Sequence, residues 1–300
     1  MNYKSLQGHS AIFMANIIFG LGVPVTKMLL EDWVTPMGYM ATRSVGAAVI
    51  FWLISFFLPK EKIERRDLVT IIVCGLLGFV ISQTLTAWAL NYTTPVYFSL
   101  IAAMTPIAVM LLAALFINER ITGKGIVGVV LGIGGALLML FMGWQGGGSG
   151  KDDLLGIFLT FLSLLTWAVY LIATRKVSQK YSPVAQMKWI FLVSSIVTVP
   201  WAMITEPTQV LYSQAWAWSG VAEMLFIVVF ATVLGFFMIP YAMKRLQATT
   251  VSIYTNLQPV VASLIAIAIG QDMLTWDKPV AAIMVLLGAY MVTQVSSSSK

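Results

Sequence analysis

Charge is what this chain has least of. Only 10% of its 300 residues are Asp, Glu, Lys or Arg, where a soluble domain carries about a quarter. So few charges cannot cover a water-exposed globule. Reactive side chains are equally sparse. The single cysteine, Cys74, lies inside an apolar run. That excludes an intrachain disulfide and a cysteine-based metal centre, and reads as a small buried apolar residue. The single histidine, His9, sits at the edge of a hydrophobic segment. No metal-ligand cluster, nucleophile–base pair or phosphate-cradling glycine loop is present, so no enzyme, metal or cofactor is expected.

Apolar residues fill the space that charge leaves. They make up 59% of the chain, and the mean hydropathy is +0.88. The composition is that of an integral membrane protein whose first partner is the lipid bilayer. Runs of span length fall at about 8–30, 36–58, 68–90, 95–117, 124–143, 154–174, 184–204, 217–241, 248–270 and 279–296. The first is too long for a signal-peptide core and reads as a retained span. The fold class expected is an all-α bundle of ten transmembrane helices joined by short loops. The net charge of +6 points to no nucleic acid, because the cations sort by loop. With the N-terminus inside, 13 of the 18 Lys and Arg fall in inner segments. Two, Lys151 and Lys278, fall outside, and Lys27, Arg43 and Lys188 lie within spans. This asymmetry places both termini in the cytoplasm.

One stretch occurs twice. Laid without a gap, Ser99 meets Ser252, Pro106 meets Pro259, Glu119 meets Asp272, Thr122 meets Thr275 and Gly135 meets Gly288. The shared pattern is a mid-span proline, an apolar run, an acid, an aliphatic residue and a threonine. It divides the chain into residues 7–143 and 154–296, with a glycine-rich linker at 144–153. Five spans is an odd number, so the second half enters from the opposite side. Two inverted five-helix repeats are a recurrent plan of secondary transporters, with the substrate site between them near the midplane.

With these features the chain resembles the drug/metabolite transporter superfamily, in particular its EamA-type exporters. The likeness is carried by the repeated proline signature, by Phe19-Gly20 with Lys27, by the echo Trp167-Ala168 with Arg175, and by Pro36 followed by Arg43. It departs at Ala168, where the family has Gly, and at Ile190, which replaces the second-half Arg. The resemblance implies export of small metabolites, amino acids first among them, by alternating access across a bacterial inner membrane. A non-transporting sensor or a lipid-handling subunit is the alternative.

Pro106 and Pro259 each remove a backbone hydrogen bond in mid-span, as a packing kink or as a cavity-lining break. Polar and aromatic residues gather near them: Asn16, Gln83, Tyr97, Thr105, Trp167, Tyr170, Tyr254, Asn256 and Gln258. Singly, each polar side chain reads as glue between helices. Together they suggest a pocket with apolar walls and a few placed polar groups. The small residues Gly128, Gly132, Gly135 and Ala136 form a helix-packing face and a candidate homodimer contact. Glu223 is the one acid expected inside a span, at the depth of Arg43 and Lys27. It is expected to pair with one of them, as an outer gate, as a static bond between helices, or with Glu223 as a proton-coupling carboxyl.

Overall fold

A computed structural model of the chain describes residues 3–117, 123–144, 151–214, 217–246, 251, 254–270, 276, 279–280, 282–284, 286–288 and 290–291. Among these the regular structure is helical throughout. The helices are α1 (Tyr3–Asp32), α2 (Pro36–Phe56), α3 (Arg65–Tyr92), α4 (Pro95–Ala102), α5 (Thr105–Ile117), α6 (Gly123–Trp144), α7 (Asp153–Lys180), α8 (Pro183–Thr205), α9 (Val210–Ser213), α10 (Trp218–Met243) and α11 (Leu257–Ala268). Seven stretches are long and apolar enough to cross a membrane: α1, α2, α3, α4 continued into α5, α7, α8 and α10. The chain is a multi-pass membrane protein. Within the described residues α11 is shorter than a span, and α6 holds a shorter apolar run at Ile126–Gly135. The expected tenth span is described only in pieces. Most of the 144–153 linker and the two acid-aliphatic-Thr signatures lie outside the described residues.

Local chemistry explains where the helices start. Thr35-Pro36, Thr94-Pro95 and Ser182-Pro183 each place a hydroxyl at the N-cap and a proline at the first helical position. The proline has no N–H to leave unpaired, and the hydroxyl accepts from an N–H one turn in, at Gly38, Tyr97 and Ala185. Proline also explains the break between α4 and α5. A ring at Pro106 cannot coexist with a helical carbonyl at Ala102. The chain turns at Ala103 and Met104, and the hydroxyl of Thr105 donates to the freed Ala102 carbonyl at 2.5 Å. Before Pro259 the chain forms a 3₁₀ turn at Tyr254–Asn256 and then α11. Both expected kinks are therefore breaks between two helical pieces.

Two helices carry wide π turns, Leu76–Ile81 inside α3 and Ile227–Leu234 inside α10. A π turn adds a residue to the turn and rotates everything after it about the helix axis. In or just past these turns Ser82, Gln83, Ile227, Ala231 and Phe236 face the space between the halves, while Ile81 and Phe230 face outward.

The two halves interlock. Packed pairs draw one helix from each: α2 with α8, α3 with α7, and α1 with α10 and α11. On α2 and α8 Phe51 stacks on Phe191 at 5.5 Å, and Ser44 bonds Thr198 at 2.7 Å. On α3 and α7 the hydroxyls of Ser82 and Thr86 reach Ser163. Close approach needs small residues, since lipid gives helices little hydrophobic drive to associate. A Cβ at Gly20 would come within 2.7 Å of Val261, and one at Gly288 within 2.5 Å of the Gly128 carbonyl oxygen. The small-residue face of α6 is thus used inside the chain at Gly128 and Gly132. Outward faces carry bare apolar side chains such as Phe56, Leu115 and Ile204, as a lipid-facing surface should.

Candidate functional site

A cavity of about 110 Å³ lies between the halves. Its walls come from α1, α2, α3 and α4 on one side and from α7, α10 and the segment through Gln258 on the other. Residues on one face of a helix recur every three to four positions. Ser82, Thr86 and Leu90 on α3 follow that spacing, as do Thr160, Ser163, Leu164 and Trp167 on α7. One wall is aromatic. Trp167 meets Phe236 at 5.8 Å with crossed rings, Phe236 meets Phe19 at 5.7 Å, and Phe79 and Phe191 close the cluster behind. Hydroxyl-bearing residues, among them Thr26, Ser82, Thr86, Thr160 and Ser163, line the cavity beside these rings.

Of the residues expected at a site, Gln83, Thr105, Trp167, Gln258 and Arg43 line this cavity. Asn16 stands directly behind. Gln258 Nε2 donates to Asn16 Oδ1 at 2.6 Å, and Asn16 Nδ2 donates to the Ile12 carbonyl at 2.7 Å. The pair satisfies two amides that hydrocarbon would leave wanting. Tyr170 packs its ring 4.9 Å from Trp167 but is fully buried against Gly78, so it backs the wall and does not form it. Tyr97 is 0% exposed in the core beneath α4. Tyr254 turns away and bonds His9 Nδ1 at 2.8 Å. The Asn256 and Pro259 side chains lie outside the described residues.

The structure corrects the expected ion pair. Glu223 meets neither Arg43 nor Lys27, and its Oε2 has no hydrogen-bond partner among the described residues. Lys27 is engaged elsewhere. Its ammonium donates to the Leu90 carbonyl at 2.8 Å in the last turn of α3 and pairs with Glu31 at 3.1 Å. A cation at a helix C-terminus is favourable. Helix α1 runs on to Asp32, so Glu31 and Asp32 are also helical and Glu223 is not the one acid in a span. The Arg43 guanidinium meets α10 at Thr232, nine residues and about 13 Å past Glu223, so the level expected from counting along each span is not the level at which the helices meet.

Arg43 is 3% exposed. A charge at this depth in a membrane costs about 2.5–3.5 kcal/mol or more when unrelieved. Its relief is neutral. Nε donates to the Thr232 hydroxyl at 2.9 Å and Nη1 to Gln83 Oε1 at 3.3 Å, while the Tyr39 and Phe79 rings lie 4.9 and 5.2 Å from the guanidinium carbon. Thr232 in turn donates to the Ile227 carbonyl across the π turn, at 2.8 Å. Residue type alone did not single out Thr232, Ser82, Thr160, Ser163, Tyr39 or Phe236. The helical spacing of Ser82 with Thr86 and of Thr160 with Ser163 and Trp167 was the available signal.

The EamA-like transporter family matches this chain twice, over residues 6–141 and 154–294. A transporter of Bacillus subtilis, YyaM, is 24% identical over 93% of this chain and 92% of its own length. A transporter of Archaeoglobus fulgidus is 22% identical over 92% of this chain and 95% of its own. A probable terminal-alkyne amino-acid exporter of Streptantibioticus cattleyicolor is 24% identical over 85% and 83%. One protein of known crystal structure has the same fold, with a TM-score of 0.67 at 18% identity and 98% of either chain covered.

Proposed function

The chain belongs to the EamA-like transporter family, a family of transporters and not of enzymes, and on that premise we propose that it is a secondary transporter exporting small metabolites, amino acids first among them, across a bacterial inner membrane. Ten spans then form two inverted five-helix repeats, residues 7–143 and 154–296, with both termini cytoplasmic and the linker 144–153 outside. The halves rock about the central site and expose it to each side in turn. The observation that carries this reading is the cavity walled by helices of both halves and lined by aromatic rings together with hydroxyl and amide groups. At about 110 Å³ it suits a small metabolite in preference to a drug-sized ligand. Gln83, Thr105, Trp167 and Gln258 contact the substrate, and Asn16 holds Gln258 in place. The amino-acid exporter among the relatives makes amino acids the first substrates to try.

The test is flux. Purified protein in liposomes loaded with a labelled amino-acid pool should exchange at least one of them faster than empty liposomes, and Gln258→Leu should abolish that exchange while expression persists. A well-folded protein that moves no metabolite pool would favour a sensor or a lipid-handling subunit. Topology is tested separately. A periplasm-active reporter should signal from within 144–153 and stay silent after Lys300.

A further inference from the structure

Among the described residues Arg43 is a buried cation without an anion paired to it. It lines the cavity, yet no Asp or Glu lines it beside Arg43, and among the described residues no carboxylate lies within ion-pair distance. Thr232 holds Nε, Gln83 and the Met40 sulfur at 4.0 Å hold Nη1, and the Tyr39 side chain lies against the guanidinium, while Nη2 makes no hydrogen bond within 3.5 Å among the described residues. A guanidinium carries five N–H groups in a planar fork matched to a two-oxygen anion. Lys27 shows the other solution available to a buried cation here, an acid and a backbone carbonyl from its own bundle. Arg43 has instead been left with neutral partners and an open edge on the cavity.

We infer that Arg43 anchors a carboxylate of the transported molecule, so that the substrate is a small monocarboxylate or zwitterion whose apolar or aromatic body lies against Trp167, Phe236 and Phe19. This rests on the reading of the cavity as the transport site. One guanidinium balances one negative charge, and no second cation lines the cavity among the described residues, which favours a carboxylate over a phosphate dianion. No acid lines the cavity among the described residues to hold an organic cation, so a bare amine meets hydroxyls, amides and ring faces there.

Matched ligands separate these chemistries. The full-length protein in detergent is heated with phenylalanine, 3-phenylpropanoate, phenylalanine amide, phenethylamine or phenyl phosphate, and with the corresponding leucine series. The carboxylates of at least one series should raise the melting temperature, and the amide and amine should bind about tenfold more weakly or worse, the loss of one charge-assisted contact. Arg43→Gln should erase that difference. Gln83→Glu places a carboxylate where the amide oxygen now meets Nη1, so it should occupy the anchor from within and abolish carboxylate binding in a protein that still folds. Amides or amines that bind as well as the acids, phenyl phosphate that binds better than the carboxylates, unaltered binding by Gln83→Glu, or no carboxylate effect in either series would overturn the inference. Flux in liposomes distinguishes its failure from that of the transport reading. Acids that bind but do not move leave Arg43 as an anchor and sink transport, whereas amines moved as fast as acids leave transport standing without the anchor.

Discussion

The two ends of α2 are held by the same device in different chemistry. At the end near Phe56 the connection to α3 meets the junction of α7 and α8. Glu61 accepts from the N–H of Ser182 at 3.1 Å and from its hydroxyl at 2.7 Å, which caps the start of α8. Lys180 bridges Glu64 at 2.9 Å and Asp67 at 2.7 Å, and the Tyr181 hydroxyl donates to Asp67 at 2.7 Å. At the other end the connection after α8 meets the turn between α1 and α2. Glu206 accepts from the N–H of Met37 at 2.9 Å, which caps the start of α2. Gln209 accepts from the N–H of Thr35 at 2.8 Å and donates to the Thr35 hydroxyl and the Glu206 carbonyl. In both clasps an acid from one half sits at the positive N-terminus of a proline-started helix of the other. The difference is solvent. Glu64 and Lys180 have 70% and 48% of their side chains exposed, whereas Gln209 is 8% exposed. The first clasp is an ion cluster that water and salt weaken. The second is an amide lock that dry surroundings make costly to break.

That contrast ranks the substitutions. Gly38→Ala should cost most, because its Cβ would lie 2.3 Å from the Gln209 carboxamide and would drive the amide out of the clasp. Overpacking and the lost bonds together predict about 2–4 kcal/mol by thermal or chaotrope unfolding in detergent. Gln209→Ala leaves the Thr35 N–H without its acceptor and should cost about 1–3 kcal/mol. Glu206→Gln removes the charge but keeps an acceptor at the start of α2. It should cost about 0.3–1 kcal/mol, reduced by added salt. Lys180→Ala, in the exposed clasp, should cost about 0.2–1 kcal/mol at low salt and close to nothing at high salt. Equal costs for Gln209→Ala and Lys180→Ala, or a salt-insensitive Lys180→Ala, would break the comparison.

Four residues expected in a pocket and one expected in an ion pair, Arg43, meet at one cavity. Gln83, Arg43, Thr105, Trp167 and Gln258 stood out as polar or aromatic groups inside apolar runs, and all five face one cavity. The pairing of Asn16 with Gln258 was not visible, because 242 residues separate them and only folding brings α1 beside α11. Tyr97 and Tyr254 share the composition of cavity residues but occupy the core and a hydrogen bond to His9. Glu223 failed as a partner for Arg43 because the guanidinium meets α10 at Thr232, nine residues further along the helix. Depth can be counted from a span end at about 1.5 Å per residue. The angle is the sum of every turn before the residue, and a π turn changes it without any mark in composition. The turn at Leu76–Ile81 precedes Gln83, and the turn at Ile227–Leu234 contains Thr232, the two oxygen partners of the Arg43 guanidinium.

Composition and charge placement alone determined that this chain lives in a membrane and where most of its spans run. Those features follow from the cost of putting a charge or an unpaired backbone group into hydrocarbon, and that cost is paid residue by residue along the chain. Which side of each helix meets which neighbour was left to the tertiary structure. In lipid an outward leucine and an inward leucine are equally at home, so hydropathy carries no sign of the buried face. The decision fell to contacts between halves: Gly20 beneath Val261, Ser82 and Thr86 against Ser163, Phe236 against Trp167, and Arg43 on Thr232 and Gln83.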